Sequence, residues 1–259
     1  MNNGPIGVYD SGIGGLSVWR ELRRALPGES LLYLGDGKNC PYGSRPAGEI
    51  RRLADESVQA MLDRGCKLIV VACNTATAAA IDFLRAKYSS LPVVGLEPAV
   101  KPACLTTRSG VVGVLATERS LDGDLFRRTA AEYGSGIEII AAAGRGFVEL
   151  VENNLENTPE AEECVRAAMS GMIERGADRI VLGCTHYPFL LPAIRRVIGD
   201  RDIEVIDSSA AVARHTGHLL DKYGLRAGEG HVPSYEFMTF ADESYRELLR
   251  LKAFAAGEP

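Results

Sequence analysis

Two cysteines, Cys73 and Cys184, each close a short apolar run rich in β-branched residues: Ile69-Val70-Val71-Ala72 before the first, Ile180-Val181-Leu182-Gly183 before the second. Both runs turn polar at once, into Asn74-Thr75 and Thr185-His186. A free thiol titrates at about 8.5, close enough to neutrality for one thiolate and one thiol to coexist after modest tuning. Two such groups facing one carbon from opposite sides suit stereoinversion: one removes a proton from one face, the other delivers a proton to the opposite face. The Cα proton of an amino acid is very weakly acidic, so the developing enolate-like charge needs preorganised donors. Ser11, Asn74, Thr75 and Thr185 carry such donors. A lone cysteine more often fills a core as a small hydrophobe, and that reading is kept for Cys40, Cys66, Cys104 and Cys164.

Other residues near strand ends extend the set. Asp10 closes an apolar run, where a carboxylate is costly to bury unless it is paired or used, and His186 follows Cys184 by two positions. Either one can assist a thiol, although a loop histidine taken alone is ordinarily exposed. The segment Asp10-Ser11-Gly12-Ile13-Gly14-Gly15 joins a strand to a helix starting near Leu16, so its backbone N–H groups and the helix N-terminus can hold a carboxylate. It is no nucleotide signature: Ser17 stands where the dinucleotide fingerprint needs Gly or Ala, and no Gly-Lys-Ser/Thr follows. By position alone Asp36 reads as a solvated loop carboxylate, and Pro41-Tyr42-Gly43-Ser44 as a proline-initiated turn.

The elements that must carry these residues follow from hydropathy. Ile6–Tyr9, Leu31–Leu34, Leu68–Ala72, Val93–Leu96, Val111–Leu115, Ile137–Ala141, Ile180–Gly183 and Ile203–Ile206 read as buried parallel strands with amphipathic helices between them. A last strand is predicted over Tyr235–Thr239 and a closing helix from Asp242. An internal repeat at an offset of 111 residues superposes Cys73 on Cys184, Arg64-Gly65 on Arg175-Gly176 and Val94-Gly95-Leu96 on Val205-Ile206-Asp207. At a slightly different offset, Gly7-Val8-Tyr9-Asp10-Ser11 matches Gly113-Val114-Leu115-Ala116-Thr117, which adds Thr117 as a strand-end candidate. This pattern predicts an α/β fold of two pseudo-symmetric parallel-sheet lobes. Residues 1–97 plus 207–259 form the first lobe and 98–206 the second. Both cysteines then fall at the carboxyl ends of strands, where open α/β sheets bind ligands.

Composition narrows the classes. The 259 residues are 46% hydrophobic and 24% charged, as in globular proteins, and 29 Lys plus Arg against 34 Asp plus Glu give no general attraction to nucleic acid. No apolar run is long enough to span a membrane, and the first residues lack the basic start and apolar stretch of a signal peptide, so a cytoplasmic protein with free thiols is expected. The six cysteines contain no C-x-x-C pair, which argues against zinc and against disulfide exchange.

The segments Gly7-Val8-Tyr9-Asp10-Ser11-Gly12, Asp36 with Pro41-Tyr42-Gly43, Ala72-Cys73-Asn74-Thr75-Ala76-Thr77-Ala78 and Gly183-Cys184-Thr185-His186-Tyr187-Pro188 together closely resemble the glutamate racemases of the aspartate/glutamate racemase superfamily. The resemblance runs from about Ile6 to Asp207 and implies an active site between the two lobes. It implies that Cys73 acts as base toward D-glutamate and Cys184 toward L-glutamate, with Asp10 and His186 in support. It further implies substrate contacts at Asp10, Ser11, Tyr42, Gly43, Asn74, Thr75, Thr185 and His186, and adds Glu152, a helix carboxylate whose default place is a solvated face. One departure is Ser120, where family members often carry Thr. No metal, pyridoxal phosphate or other cofactor is implied. Glutamate is the expected small-molecule partner, a homodimer the expected assembly, and D-glutamate for bacterial peptidoglycan, hence cell wall and cell shape, the expected output.

Aspartate racemase or another superfamily member is the nearest rival. A non-catalytic amino-acid-binding regulator and a thiol-disulfide redox protein are the rivals from other classes. His186 disfavours aspartate, because aspartate enzymes carry an acidic residue after Cys-Thr. The two intact cysteines disfavour a regulator.

Overall fold

Buried β-branched runs become strands here, and the stretches between them become helices that cover both faces of parallel sheets. The computed structural model describes residues 1–255, without the side chain of Leu125. The chain runs β1 (Ile6–Asp10), α1 (Leu16–Ala25), β2 (Leu31–Gly35), α2 (Ala47–Leu62), β3 (Leu68–Val71), α3 (Asn74–Lys87), β4 (Val93–Gly95) and α4 (Val100–Thr106). It continues through β5 (Val111–Ala116), α5 (Glu118–Asp122), α6 (Asp124–Tyr133), β6 (Glu138–Ala143), α7 (Phe147–Glu152) and α8 (Pro159–Glu174). The remainder is β7 (Arg179–Gly183), a 3₁₀ turn (Tyr187–Leu190), α9 (Leu191–Ile198), β8 (Glu204–Ile206), α10 (Ser209–Lys222), β9 (Tyr235–Thr239) and α11 (Glu243–Phe254). Every strand expected from hydropathy is present, with ends shifted by a residue or two.

Two compact units result, one formed by Met1–Leu96 with the segment from Ser209 onward, the other by Glu97–Ser208. The first sheet has the order β4-β3-β1-β2-β9 and the second β6-β5-β7-β8, with every pairing parallel. Read from its other edge, the second sheet is β8-β7-β5-β6, which repeats β4-β3-β1-β2 element for element. The sequence repeat is therefore a repeat of topology, and β9 is an addition to the first unit.

All residues of β1, β2, β3 and β7 are buried, as strands sandwiched between helix layers must be. In the first unit Ile50, Val58, Ile69, Val71 and Leu84 pack in one cluster with Tyr9, Tyr42 and Cys73. In the second, Val100, Cys104, Val112, Val114 and Val181 form a corresponding cluster. Each such fully buried aliphatic side chain contributes roughly 1.5–3 kcal/mol against the entropy of ordering the chain. At the start of β3, Lys67 Nζ bonds Glu29 Oε2 at 2.5 Å and the Asn2 carbonyl at 2.6 Å, while Glu29 Oε1 accepts from Ala227 N at 3.1 Å. That buried ion pair ties four segments at the end of the sheet opposite the cysteine.

The repeat breaks after the two cysteines. Beyond Cys73 the chain enters α3 immediately, whereas beyond Cys184 it makes the 3₁₀ turn before α9. Pro188 and Pro192 sit in the first turn of each of those two segments, and a proline, lacking an N–H, is accommodated there and not within one continuous helix.

Candidate active site

In the first sheet β1 lies between β2 and β3, so the winding direction reverses between β1 and β3. Outside the carboxyl ends of two such strands an open α/β sheet leaves a crevice for ligands. Asp10 ends β1, Ser11 follows it, and Cys73 follows the end of β3. The same reversal separates β5 from β7 in the second sheet, where Thr117 and Cys184 hold the corresponding places.

Cys73 is the N-cap of α3, with extended backbone (φ −138°, ψ 115°), and its Sγ accepts a hydrogen bond from Ala76 N at 3.4 Å. A helix N-terminus favours a sulfur atom in its anionic form. The thiol also reaches Ser11 Oγ at 3.7 Å. Asp10 is fully buried, and its Oδ1 accepts from Gly12 N at 2.8 Å, which shapes the loop leading to α1. Gly15 makes that loop possible: a Cβ there would stand 2.6 Å from Asp10 Cβ and 3.1 Å from Ala72 Cβ. The N-cap of α1 is Gly15, which has no side chain with which to cap it.

Asn74 and Thr75 open α3 and are both buried. Among the described residues, the Asn74 side-chain Nδ2 finds no hydrogen-bond acceptor. A buried amide donor left without a partner costs about 1–3 kcal/mol, a cost that a ligand accepting that hydrogen bond removes.

Asp36 departs from the solvated loop carboxylate that its position suggested. It is fully buried, accepts from Tyr42 Oη at 2.6 Å, and takes both oxygens to Asn39 Nδ2 at 3.0 Å. Donors supplied by the turn make burial affordable. Tyr42 is itself buried, and Gly43, half-buried, follows it in the same turn.

The second unit gives its cysteine different neighbours. Gly183 lets β7 approach β5 closely, since a Cβ there would stand 2.8 Å from Ala116 Cβ, and Cys184 follows it, 7% exposed. Cys184 Sγ lies 3.9 Å from His186 Nδ1, and His186 Nε2 lies 2.6 Å from Glu152 Oε1 at the end of α7. His186 is 2% exposed, so neither the exposed loop histidine nor the solvated helix carboxylate of the default readings is found. A carboxylate on one ring nitrogen orients the imidazole and settles which nitrogen is turned to the sulfur. Thr185 is buried beside them. Thr117 caps α5, its Oγ1 accepting from Ser120 N at 3.2 Å and lying 2.9 Å from Ser120 Oγ, so the serine in place of threonine keeps a hydroxyl on the cap.

Tyr187, next in sequence, is buried and donates to the Gly144 carbonyl at 3.3 Å. Burial, followed by the nearby Cys184 charge, pushes its phenol well above the usual range. Burial also raises the Cys66 thiol to about 12 and that of Cys104 above its ordinary value. Both are buried as expected, whereas Cys40 and Cys164 are only half-buried. None of the six cysteines is joined in a disulfide among the described residues. Tyr9, which the sequence reading passed over, lies in the cluster with Tyr42 and Cys73; the signal was a phenol inside an otherwise aliphatic buried strand.

Residues 6–216 match the sequence profile of the Asp/Glu/hydantoin racemases. The glutamate racemase of Roseiflexus sp. (strain RS-1) is 48% identical over 221 residues, 85% of this chain and 81% of that protein. Among solved structures, glutamate racemase isoform RacE1 from Bacillus anthracis superposes with a TM-score of 0.86 at 32% identity, covering 97% of this chain and 94% of that one. Escherichia coli glutamate racemase, in complex with L-glutamate and the activator UDP-MurNAc-Ala, superposes with a TM-score of 0.83 at 31% identity, covering 96% and 94%.

Proposed function

The chain belongs to the Asp/Glu/hydantoin racemase family, and from that premise we propose that it interconverts L- and D-glutamate by proton transfer at Cα, with Cys73 and Cys184 as the two bases. The observation that carries this reading is the placement of the two thiols at equivalent strand ends of topologically equivalent sheets, each beside its own polar partners.

From L-glutamate, the Cys184 thiolate takes the Cα proton and the Cys73 thiol delivers its own proton to the opposite face. The enzyme is left with a Cys73 thiolate and a Cys184 thiol, the state that runs the reverse reaction. Both thiols must therefore exchange protons with water to reset. Asp10 supports Cys73 and His186, oriented by Glu152, supports Cys184. Substrate is held by Ser11, Tyr42, Gly43, Asn74, Thr75 and Thr185, with Thr117 a further contact; the unmatched Asn74 amide suits a carboxylate oxygen. The proton transfers need neither metal nor pyridoxal phosphate.

The same reading extends to a cytoplasmic homodimer that supplies D-glutamate to peptidoglycan. Among the described residues, no helix is long and apolar enough to cross a membrane. The deciding assay follows the optical rotation of L-glutamate and, in parallel, of L-aspartate. Loss of rotation with glutamate alone is expected; turnover of aspartate in its place would reassign the substrate, and binding without turnover would make the chain a regulator.

A further inference from the structure

Three side chains from two segments, β1 and the turn after β2, form one ordered hydrogen-bond chain, and its two tyrosines lie in the cluster that holds Cys73. Tyr9 of β1 donates to Tyr42 Oη at 2.8 Å, and Tyr42 donates to Asp36 Oδ2 at 2.6 Å. Asn39 Nδ2 bonds both Asp36 oxygens, which pins the anchor. Chemistry sets the direction: Tyr42 has one proton, it goes to the carboxylate, and the hydroxyl can then only accept from Tyr9. Tyr9, Tyr42 and Asp36 are all at most 1% exposed, so water does not compete for these bonds. Burial first, and then the charge on Cys73, holds the Tyr9 phenol well above its usual range; burial does the same for Tyr42, so both keep the protons that the chain needs. The rings lie 6.4 Å apart in the cluster that contains Cys73. A phenylalanine would fill the position of Tyr9 equally well. The hydroxyl adds the link to Tyr42 and a contact with Ser57 of α2.

We propose that Tyr9 is a positioning residue: acting through Tyr42, with Asp36 as anchor, its hydroxyl fixes the turn that presents Tyr42 and Gly43 to substrate. The kinetic part of this rests on the glutamate racemase reading; the conformational part does not.

Tyr9→Phe keeps the packing and removes the hydroxyl's bond to Tyr42 together with its contact to Ser57. In the full-length enzyme it is expected to raise KM for both glutamate enantiomers about three- to tenfold, with kcat changed less than twofold. Without substrate, backbone amide exchange across residues 39–45 should speed up while β9 is unaffected. Because Tyr9 acts through Tyr42, the double variant with Tyr42→Phe should be no worse than Tyr42→Phe alone. Unchanged exchange in the turn, a uniform loosening of the whole unit, or effects that multiply in the double variant would each overturn the proposal. A wild-type protein that fails to turn over glutamate would sink the functional reading instead, and the exchange experiment would still decide the role of Tyr9.

Discussion

Glu152 Oε1 meets His186 Nε2 at 2.6 Å across 34 residues of sequence, and it does so on the side of the imidazole away from Cys184. The second cysteine therefore has a carboxylate-backed imidazole next to it, whereas the first has a serine hydroxyl and a helix N–H. The two thiols occupy equivalent places but are not served by equivalent groups.

His186→Asn and Glu152→Gln should each act on the Cys184 side alone. Enantiomers have equal free energy in water, so kcat/KM must remain the same in both directions for any variant, and only kcat and KM can separately diverge. Expected is a fall in kcat/KM of about 10- to 100-fold, the worth of a hydrogen bond to a charged group, with kcat for L- and D-glutamate falling unequally. Initial-rate kinetics in both directions check this. Equal losses of kcat would show that His186 serves substrate binding in general.

Cys73→Ala and Cys184→Ala should each abolish nearly all racemisation, while Cys104→Ala and Cys164→Ala retain it. Only the first pair stands at strand ends; Cys104 is a buried side chain of α4 and Cys164 lies on α8. Equal tolerance at all four positions in a circular-dichroism rate assay would remove the thiol mechanism.

In heavy water the product should be born deuterated. The thiolate that takes the substrate proton stays on one face, and the opposing thiol, already exchanged with solvent, supplies a deuteron. L-Glutamate recovered at low conversion should keep its original hydrogen, since an intermediate returning to substrate regains the proton held by the first thiol. Mass spectrometry showing substantial protiated product at early times would point to one base swinging between faces.

Asp178 makes the stability of the second unit depend on acid. Burial pushes its carboxyl up, but the hydrogen bonds from Thr107 Oγ1 at 2.6 Å, Arg108 N at 2.7 Å and Ser109 N at 3.2 Å outweigh burial and hold it at about 2. The folded value lies below the ordinary one of about 3.9, so the group stabilises fully above about pH 4 and loses that contribution as pH falls through about 2. The difference is on the order of 2–3 kcal/mol. Asp178→Asn should lower the urea midpoint at pH 7, and the gap from wild type should narrow as the pH is lowered toward 2. A gap that stays constant with pH would show that the carboxylate's charge contributes nothing.

The strands, their parallel arrangement and the two cysteine positions were legible in the sequence because their signals are local. A β-branched run of four or five residues reads as a buried strand wherever it lies, a polar break marks where it ends, and the offset of 111 residues pairs Cys73 with Cys184 without knowledge of any contact. The asymmetry after the cysteines was also written locally, in Pro188 and Pro192, but the repeat drew attention away from it.

What the sequence alone determined is thus the order of elements and the edge of each sheet on which the chemistry-bearing residues fall. Tertiary structure decided which of those residues are buried and what each one bonds. Asp36, Glu152 and His186 all read by default as solvated, and each is instead enclosed with a partner. A charged or polar group is tolerated inside only when it finds a hydrogen-bonding partner, which for Asp36 comes from the same turn, through Asn39 and Tyr42. For Glu152 and His186 that partner lies 34 positions away, a pairing that no local pattern encodes and that exists only once α7 and the turn after β7 have packed together.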